Sequence, residues 1–264
     1  MTVEGAAGQL SDRDLAVLRG LGDLGFMSAG QIQRCWFDAP DVSPIGARRR
    51  TQRVLHRLTE RRLLSRIDRR HGGSRGGSAA FTYRLDARGR RAAGLTGRGG
   101  YREPSERFVD HSLAISELHV QLVEAERRGH ITDVSLGHEP GIWRRFPTAS
   151  GIETLKPDLL VELTTADGWE LRWFVEIDRG TEHLPTVLAK AHLYERYWRS
   201  GHEATRNEVF PRVAWSVPDD RRVARVSEAL QCSRSLTADL HRVVTTAETA
   251  ELLTTNQEPK GGQP

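Results

Sequence analysis

Residues 156–197 read KPDLLVELTTADGWELRWFVEIDRGTEHLPTVLAKAHLYERY. From Asp158 to Thr164, Leu159, Val161 and Leu163 alternate with Asp158, Leu160 and Glu162, the period of two that predicts a strand. Glu170 to Asp178 repeats the pattern, with Leu171, Trp173, Val175 and Ile177 on one face and Arg172, Phe174, Glu176 and Asp178 on the other. Ala166, Asp167 and Gly168 suit a three-residue hairpin loop with Gly168 in the left-handed conformation. Such a loop sets Thr165 opposite Trp169, Glu162 opposite Arg172, Leu160 opposite Phe174 and Asp158 opposite Glu176. Glu162 and Arg172 then neutralise each other, and Asp158, Glu176 and Asp178 gather beyond them without a cation. Carboxylates assembled against their own repulsion point to a divalent metal with hard oxygen ligands, Mg2+ or Mn2+, whereas solvated acids at strand ends are the simpler alternative. A one-residue slip would turn Asp158 to the opposite face.

The stretch continues as a turn and a helix. Val187, Leu188, Ala191 and Trp198 are expected inward, with Lys190, Tyr194 and Tyr197 on a neighbouring stripe. Lysine occurs only at 156, 190 and 260. Lys190 is therefore either a chemical group, neutralising a phosphate in its transition state or orienting water, or an ordinary surface lysine. Tyr194 and Tyr197 are either nucleophiles for a covalent cleavage or core aromatics. Downstream, FPRVAWSVP predicts a buried strand, DDRRVARVSEAL a helix and HRVVTTA a last strand, the continuation of an α/β sheet. Residues 255–264, TNQEPKGGQP, have nothing to bury and are expected to be a disordered tail. Upstream, FVDHSLAISELHVQLVEAERRG predicts a helix with Leu113, Leu118 and Leu122 inward and Gly129 as its stop. His111 and Glu117 are its candidate functional side chains, against a helix-start histidine and a surface acid.

The first 89 residues differ in character. SDRDLAVLRGLGDLGFM, AGQIQRCWF after Ser28, and a segment opened by Ser43-Pro44 predict three helices. The third carries Arg48, Arg49, Arg50, Arg53, Arg57, Arg61 and Arg62 around an apolar stripe of Val54, Leu58 and Leu63. SRIDRRHGGSRGGSAAFTYRLDARG then reads as strand, glycine-rich tip and strand, with Arg69, Arg70, His71 and Arg75 at the tip. Three helices and a hairpin are the pattern of a winged helix-turn-helix, whose third helix enters the major groove and whose wing meets the backbone. Residues 90–106 are glycine-rich and aperiodic, and are expected to be a linker.

Charge divides the same way. Residues 1–108 carry 21 Arg against 11 Asp and Glu, about +10, although the whole chain is only +4; the remainder is therefore about −6. A basic half suits a phosphate backbone, and an acidic half approaching the same polymer suits a bound metal. Cys35 and Cys232 stand apart from each other and from any CxxC or histidine cluster, which argues against a disulfide framework or zinc site. Without an apolar run of about 18 residues or a signal-peptide pattern, a cytoplasmic protein with no membrane partner is expected.

Pro157-Asp158 with Glu176-Ile177-Asp178 resembles the signature of the PD-(D/E)xK nuclease superfamily, the restriction-endonuclease-like fold. The usual lysine two residues after the glutamate is replaced by Asp178, and in members whose lysine comes from the following helix Lys190 has the matching position. The resemblance implies Asp158, Glu176 and Asp178 as metal ligands and catalytic residues together with Lys190. More narrowly, a winged helix followed by DHSLAISEL, KPD and EIDRGTEHLPTVLAKAHLYERYW resembles the replication-relaxation family of actinobacterial plasmids and integrative elements. This likeness runs from about Ser11 to the last strand. It implies plasmid replication and DNA relaxation, with similarity to conjugative relaxases built on the endonuclease-like fold.

The expected fold is α/β (α+β): residues 1–89 a winged helix-turn-helix, and 107–254 a restriction-endonuclease-like mixed sheet flanked by helices. DNA contacts are assigned to Arg48, Arg49, Arg50, Arg53, Arg57, Arg69, Arg70 and Arg75. The expected partner is double-stranded plasmid DNA, with replication or conjugation proteins and a homodimer left open. One functional expectation is a metal-dependent endonuclease or nickase, relaxase-like. The other is a non-catalytic replication or transfer regulator with a degenerate nuclease-like domain.

Overall fold

The computed structural model describes residues 10–67, 81–95, 104–207 and 209–255. The chain forms two compact units, Met1–Val120 and Gln121–Pro264. The mixed α and β character expected from the sequence is present, with helices and several sheets. The division between the units falls inside the helix Glu106–Arg127, and residues Ala87–Ala92 form another helix at the edge of the stretch read as linker.

In the first unit, helix α1 (Asp12–Leu24) begins with a capping box: the Ser11 hydroxyl accepts from the Asp14 amide and the Asp14 carboxylate accepts from the Ser11 amide. Its buried stripe is Val17, Leu18, Leu21 and Leu24. Strand β1 (Met27–Ser28) leads into α2 (Ala29–Trp36), where Ser28 and Gln31 form a second capping box. Ser43 caps α3 (Pro44–Glu60), and Pro44 occupies the first turn, where its missing N–H costs nothing. Ala47, Thr51, Leu55 and Leu58 bury one side of α3. Strands β2 (Leu64–Ile67) and β3 (Thr82–Leu85) pair antiparallel, and β1 adds to β3 to give the order β1-β3-β2. Helix α4 (Ala87–Ala92) follows. It presses Gly89 so closely on the Leu63 carbonyl that an added Cβ would lie 2.0 Å from the oxygen, which explains a glycine within a helix.

Helix α5 (Glu106–Arg127) stops near Gly129, which takes φ 78°, as the sequence predicts. The second unit then builds a five-stranded sheet in the order β10-β9-β8-β7-β4. Its members are β4 (Ile131–Gly137), β7 (Leu159–Thr165), β8 (Glu170–Ile177), β9 (Arg212–Val217) and β10 (His241–Thr245). A separate hairpin, β5 (Arg144–Thr148) with β6 (Gly151–Leu155), is inserted between β4 and β7.

The β7–β8 register is the one expected, with Glu162 opposite Arg172 and Leu160 opposite Phe174. The loop closes through the Thr165 amide to the Trp169 carbonyl at 2.9 Å, with Gly168 at φ 88°. β4 and β7 are antiparallel, as are β7 and β8, whereas β8, β9 and β10 run parallel. Parallel neighbours require crossovers. Helix α6 (Leu184–Arg199), followed by α7 (His202–Asn207), lies between β8 and β9, and α8 (Asp220–Cys232) lies between β9 and β10. A short α9 (Thr249–Thr254) follows β10. One core contains Leu160, Phe174, Val213, Trp215 and Val217 of the sheet with Val187, Ala191, Tyr194 and Tyr197 of α6 and Val226 of α8. Glu176 alternates with Phe174, so this helix-covered face is the one onto which its carboxylate projects.

Among the described residues, no helix is long and apolar enough to cross a membrane.

Candidate functional site

Asp158 sits one residue before β7, and its Oδ2 accepts a 2.7 Å hydrogen bond from the Ile177 amide near the end of β8. Glu176 lies one residue earlier on β8 and is 3% exposed. Turn residue Gly180 (φ 77°) and the first-turn Pro185 launch α6 back across the sheet. Lys190 and Tyr194 are one helical turn apart, so they reach the same point. The Lys190 ammonium bonds Glu176 Oε2 and stands 3.9 Å from Asp158 Oδ1. The Tyr194 hydroxyl donates to Glu176 Oε1 at 2.5 Å. Both oxygens of the buried glutamate are thus engaged by α6.

Burial raises the Glu176 carboxyl to about 8, against the lowering pull of Lys190 and with Asp158 adding to the rise. For Lys190, burial lowers the ammonium, but Glu176 and Asp158 outweigh it and the net shift is upward. Burial, then Glu176, lifts Tyr194 well above the usual phenol range. The three groups behave as one hydrogen-bonded unit in which the neutral phenol is strongly favoured over the phenolate.

Asp178 is held elsewhere. Its Oδ2 accepts from Arg222 Nε at 2.7 Å and its Oδ1 from the Gly180 amide at 2.7 Å. Arg222, buried on α8, also reaches the Glu182 carbonyl at 2.7 Å. The structure therefore brings Asp158, Glu176 and Lys190 together and commits Asp178 to a buried ion pair that secures the turn before α6. Among the described residues, no group of three His, Cys, Asp or Glu side chains is arranged to hold a metal ion.

The remaining sequence candidates occupy distinct places. Tyr194 and Tyr197 are both fully buried; Tyr197 donates to Glu203, which also receives Arg144 Nε at 2.8 Å. The inward stripe of α6 thus includes the tyrosines, because their hydroxyls find buried acceptors, while Trp198 is 39% exposed instead of packed inward. Glu117 joins α5 to α2, accepting from Arg34 at 2.5 Å and from Gln31 Nε2 at 3.1 Å.

On α3, Arg48, Arg49, Arg50 and Arg53 are exposed. Arg57 instead pairs with the buried Asp14 at 2.5 Å, tying α3 to α1. Arg66 at the base of the hairpin stacks over Phe81, 4.1 Å from its centroid. Arg69, Arg70 and Arg75 lie outside the described residues, as does the tail from 256 onward.

Sequence reasoning missed Arg222 and the Arg144–Glu203 pair. Their partners are separated by 44 and 59 positions, and no local spacing signals such contacts.

A family model described as Replication-relaxation matches residues 18–213, a span from α1 into β9 that includes Asp158, Glu176 and Lys190. No curated protein and no solved structure matches the chain significantly. The matched span exceeds half of the 264 residues, and the chain belongs to the replication-relaxation family.

Proposed function

We propose that this protein acts in plasmid replication or mobilisation, binding duplex DNA through its first unit and nicking a DNA strand at the Asp158–Glu176–Lys190 centre of its second. The observation that carries the proposal is the convergence of two carboxylates from adjacent strands with a lysine from the following helix. The helix and antiparallel β4, β7 and β8, then α6 and parallel β9, follow the succession of the restriction-endonuclease-like fold, which supports the PD-(D/E)xK reading. In the first unit, three helices, a hairpin and the exposed Arg48, Arg49, Arg50 and Arg53 on α3 support a winged helix with α3 in the major groove.

The chemistry of the donors fits one hard divalent cation, Mg2+ or Mn2+: Asp158 Oδ1 and Glu176 Oε2 already face a common positive charge. When bound, such a cation supplies Lewis acidity and a more acidic water. Asp158 and Glu176 would hold it. Tyr194 fixes the orientation of Glu176, and Lys190 turns its ammonium to the phosphate whose negative charge grows during P–O cleavage. Asp178, paired with Arg222, secures the turn from which α6 carries Lys190 and Tyr194 to the site. Tyr194 and Tyr197 are engaged by buried carboxylates, which favours hydrolysis by water over attack by a tyrosine.

The proposal predicts that supercoiled plasmid incubated with Mg2+ or Mn2+ becomes nicked, and that Asp158→Ala and Glu176→Ala each reduce the rate at least a hundredfold. Equal nicking by both variants would overturn it. A second reading, a non-catalytic DNA-binding regulator, is favoured by the commitment of Asp178 to Arg222. It predicts no Mn2+ binding by calorimetry alongside tight, salt-sensitive duplex binding.

A further inference from the structure

The β5–β6 hairpin buries one side and opens the other. Phe146 and Leu155 enter the core, and Arg144 is covered and bonded to Glu203. Outward-facing positions alternate with these, so Arg145 pairs across with Thr154 and Pro147 with Ile152. Beyond the Arg144–Leu155 pair come Trp143 and Lys156, one on each strand end. Trp143 is 38% exposed, and the Lys156 ammonium lies 4.1 Å from its ring centroid. The indole N–H donates to Glu139 Oε1 at 3.1 Å, which fixes the ring's orientation. Lys156 is also two residues before Asp158, a chain length of at most about 7 Å. An oriented indole, an ammonium on its ring and an exposed arginine therefore share a face that leads directly into the Asp158 strand.

We infer that Trp143, Lys156 and Arg145 form a binding platform for an unpaired DNA strand beside the Asp158–Glu176–Lys190 centre. The inference rests on the proposed function for its substrate class and extends it to strand state. Within a duplex, the faces of a base are covered by its neighbours, so an exposed indole has nothing to stack on. In an unpaired strand every base offers a π-face, and stacking is tolerant of sequence. The cations meet the adjoining phosphates, whose charge complements theirs. On this reading α3 holds the duplex and the platform receives a strand that is locally open.

The test uses the full chain in EDTA, so that cleavage is suppressed, and fluorescence anisotropy with labelled oligothymidylate or a blunt duplex. Trp143→Ala is expected to weaken oligothymidylate binding about tenfold or more while leaving duplex affinity unchanged. Trp143→Phe should retain most of the single-strand affinity. Lys156→Ala should lessen the salt dependence of single-strand binding by about one phosphate contact. Wild-type single-strand affinity in Trp143→Ala, or an equal loss for duplex and single strand, would overturn the platform. Plasmid nicking that survives Asp158→Ala would instead overturn the cleavage reading, and the anisotropy result would stand apart from it.

Discussion

At the scale of single residues, the second unit holds its charges by compensating them. Glu176 is buried, and one oxygen meets an ammonium and the other a phenol; these two directed hydrogen bonds offset part of its desolvation, and burial remains the larger effect. Asp178 and Arg222 solve the same problem two residues away. His241 solves it differently. Trp215 Nε1 donates to His241 Nδ1 at 3.2 Å, and burial, assisted by His192 and Arg242 and opposed by Glu195, lowers the imidazole to about 4. Its folded value lies below the ordinary 6.5, so between these limits the unfolded chain binds the proton first. The neutral histidine therefore contributes stability above pH 6.5 that is lost as pH falls toward 4. Thermal or urea unfolding should show a loss of up to about 1.4 kcal/mol per pH unit across that window from this group. His241→Asn, whose side-chain oxygen can still accept from Trp215, should flatten the slope; an unchanged slope would remove His241 as its source.

At the scale of elements, two helices do most of the functional positioning. The i, i+4 spacing of Lys190 and Tyr194 lets α6 hold both oxygens of one carboxylate. The buried stripe of α3 turns Arg48, Arg49, Arg50 and Arg53 outward together. Replacing these four with alanine should reduce duplex affinity about uniformly across sequences and lower the slope of log affinity against log salt by roughly one per lost phosphate contact. Arg57→Ala is expected to act through folding, since it leaves the buried Asp14 without its cation. Anisotropy at several salt concentrations, paired with melting curves, separates the two effects.

At the scale of the whole molecule, the basic and acidic halves of the sequence correspond approximately to two compact units, and the proposed roles divide between them. Substitutions in one unit should then leave the other's property intact. Asp158→Ala should keep wild-type duplex affinity while losing nicking, and the α3 quadruple variant should keep Mn2+ affinity while losing duplex binding. Loss of both properties in either variant, with folding preserved, would contradict that division.

Local patterns carried much of the fold. Alternation and the Ala166-Asp167-Gly168 loop determined the β7–β8 register, because a side-chain period of two and a left-handed glycine leave few ways to close the hairpin. Ser28 and Ser43 marked two helix starts, because a serine there satisfies an orphan amide, and of Ser11 and Asp12 the structure makes Ser11 the first cap. The resemblance of KPD and EID, with Lys190 on the next helix, brought the central trio into view. Tertiary structure alone decided which acids share a cation: Asp158 and Glu176 face Lys190, whereas Asp178 turns to Arg222 on a helix 44 residues away. It also decided that Tyr194 orients a carboxylate and that Trp143 stands open beside Lys156. Periodicity specifies which side of an element a residue occupies, but the choice of partner depends on the elements that cross that side, and a buried charge takes whichever counter-charge the packing brings within reach.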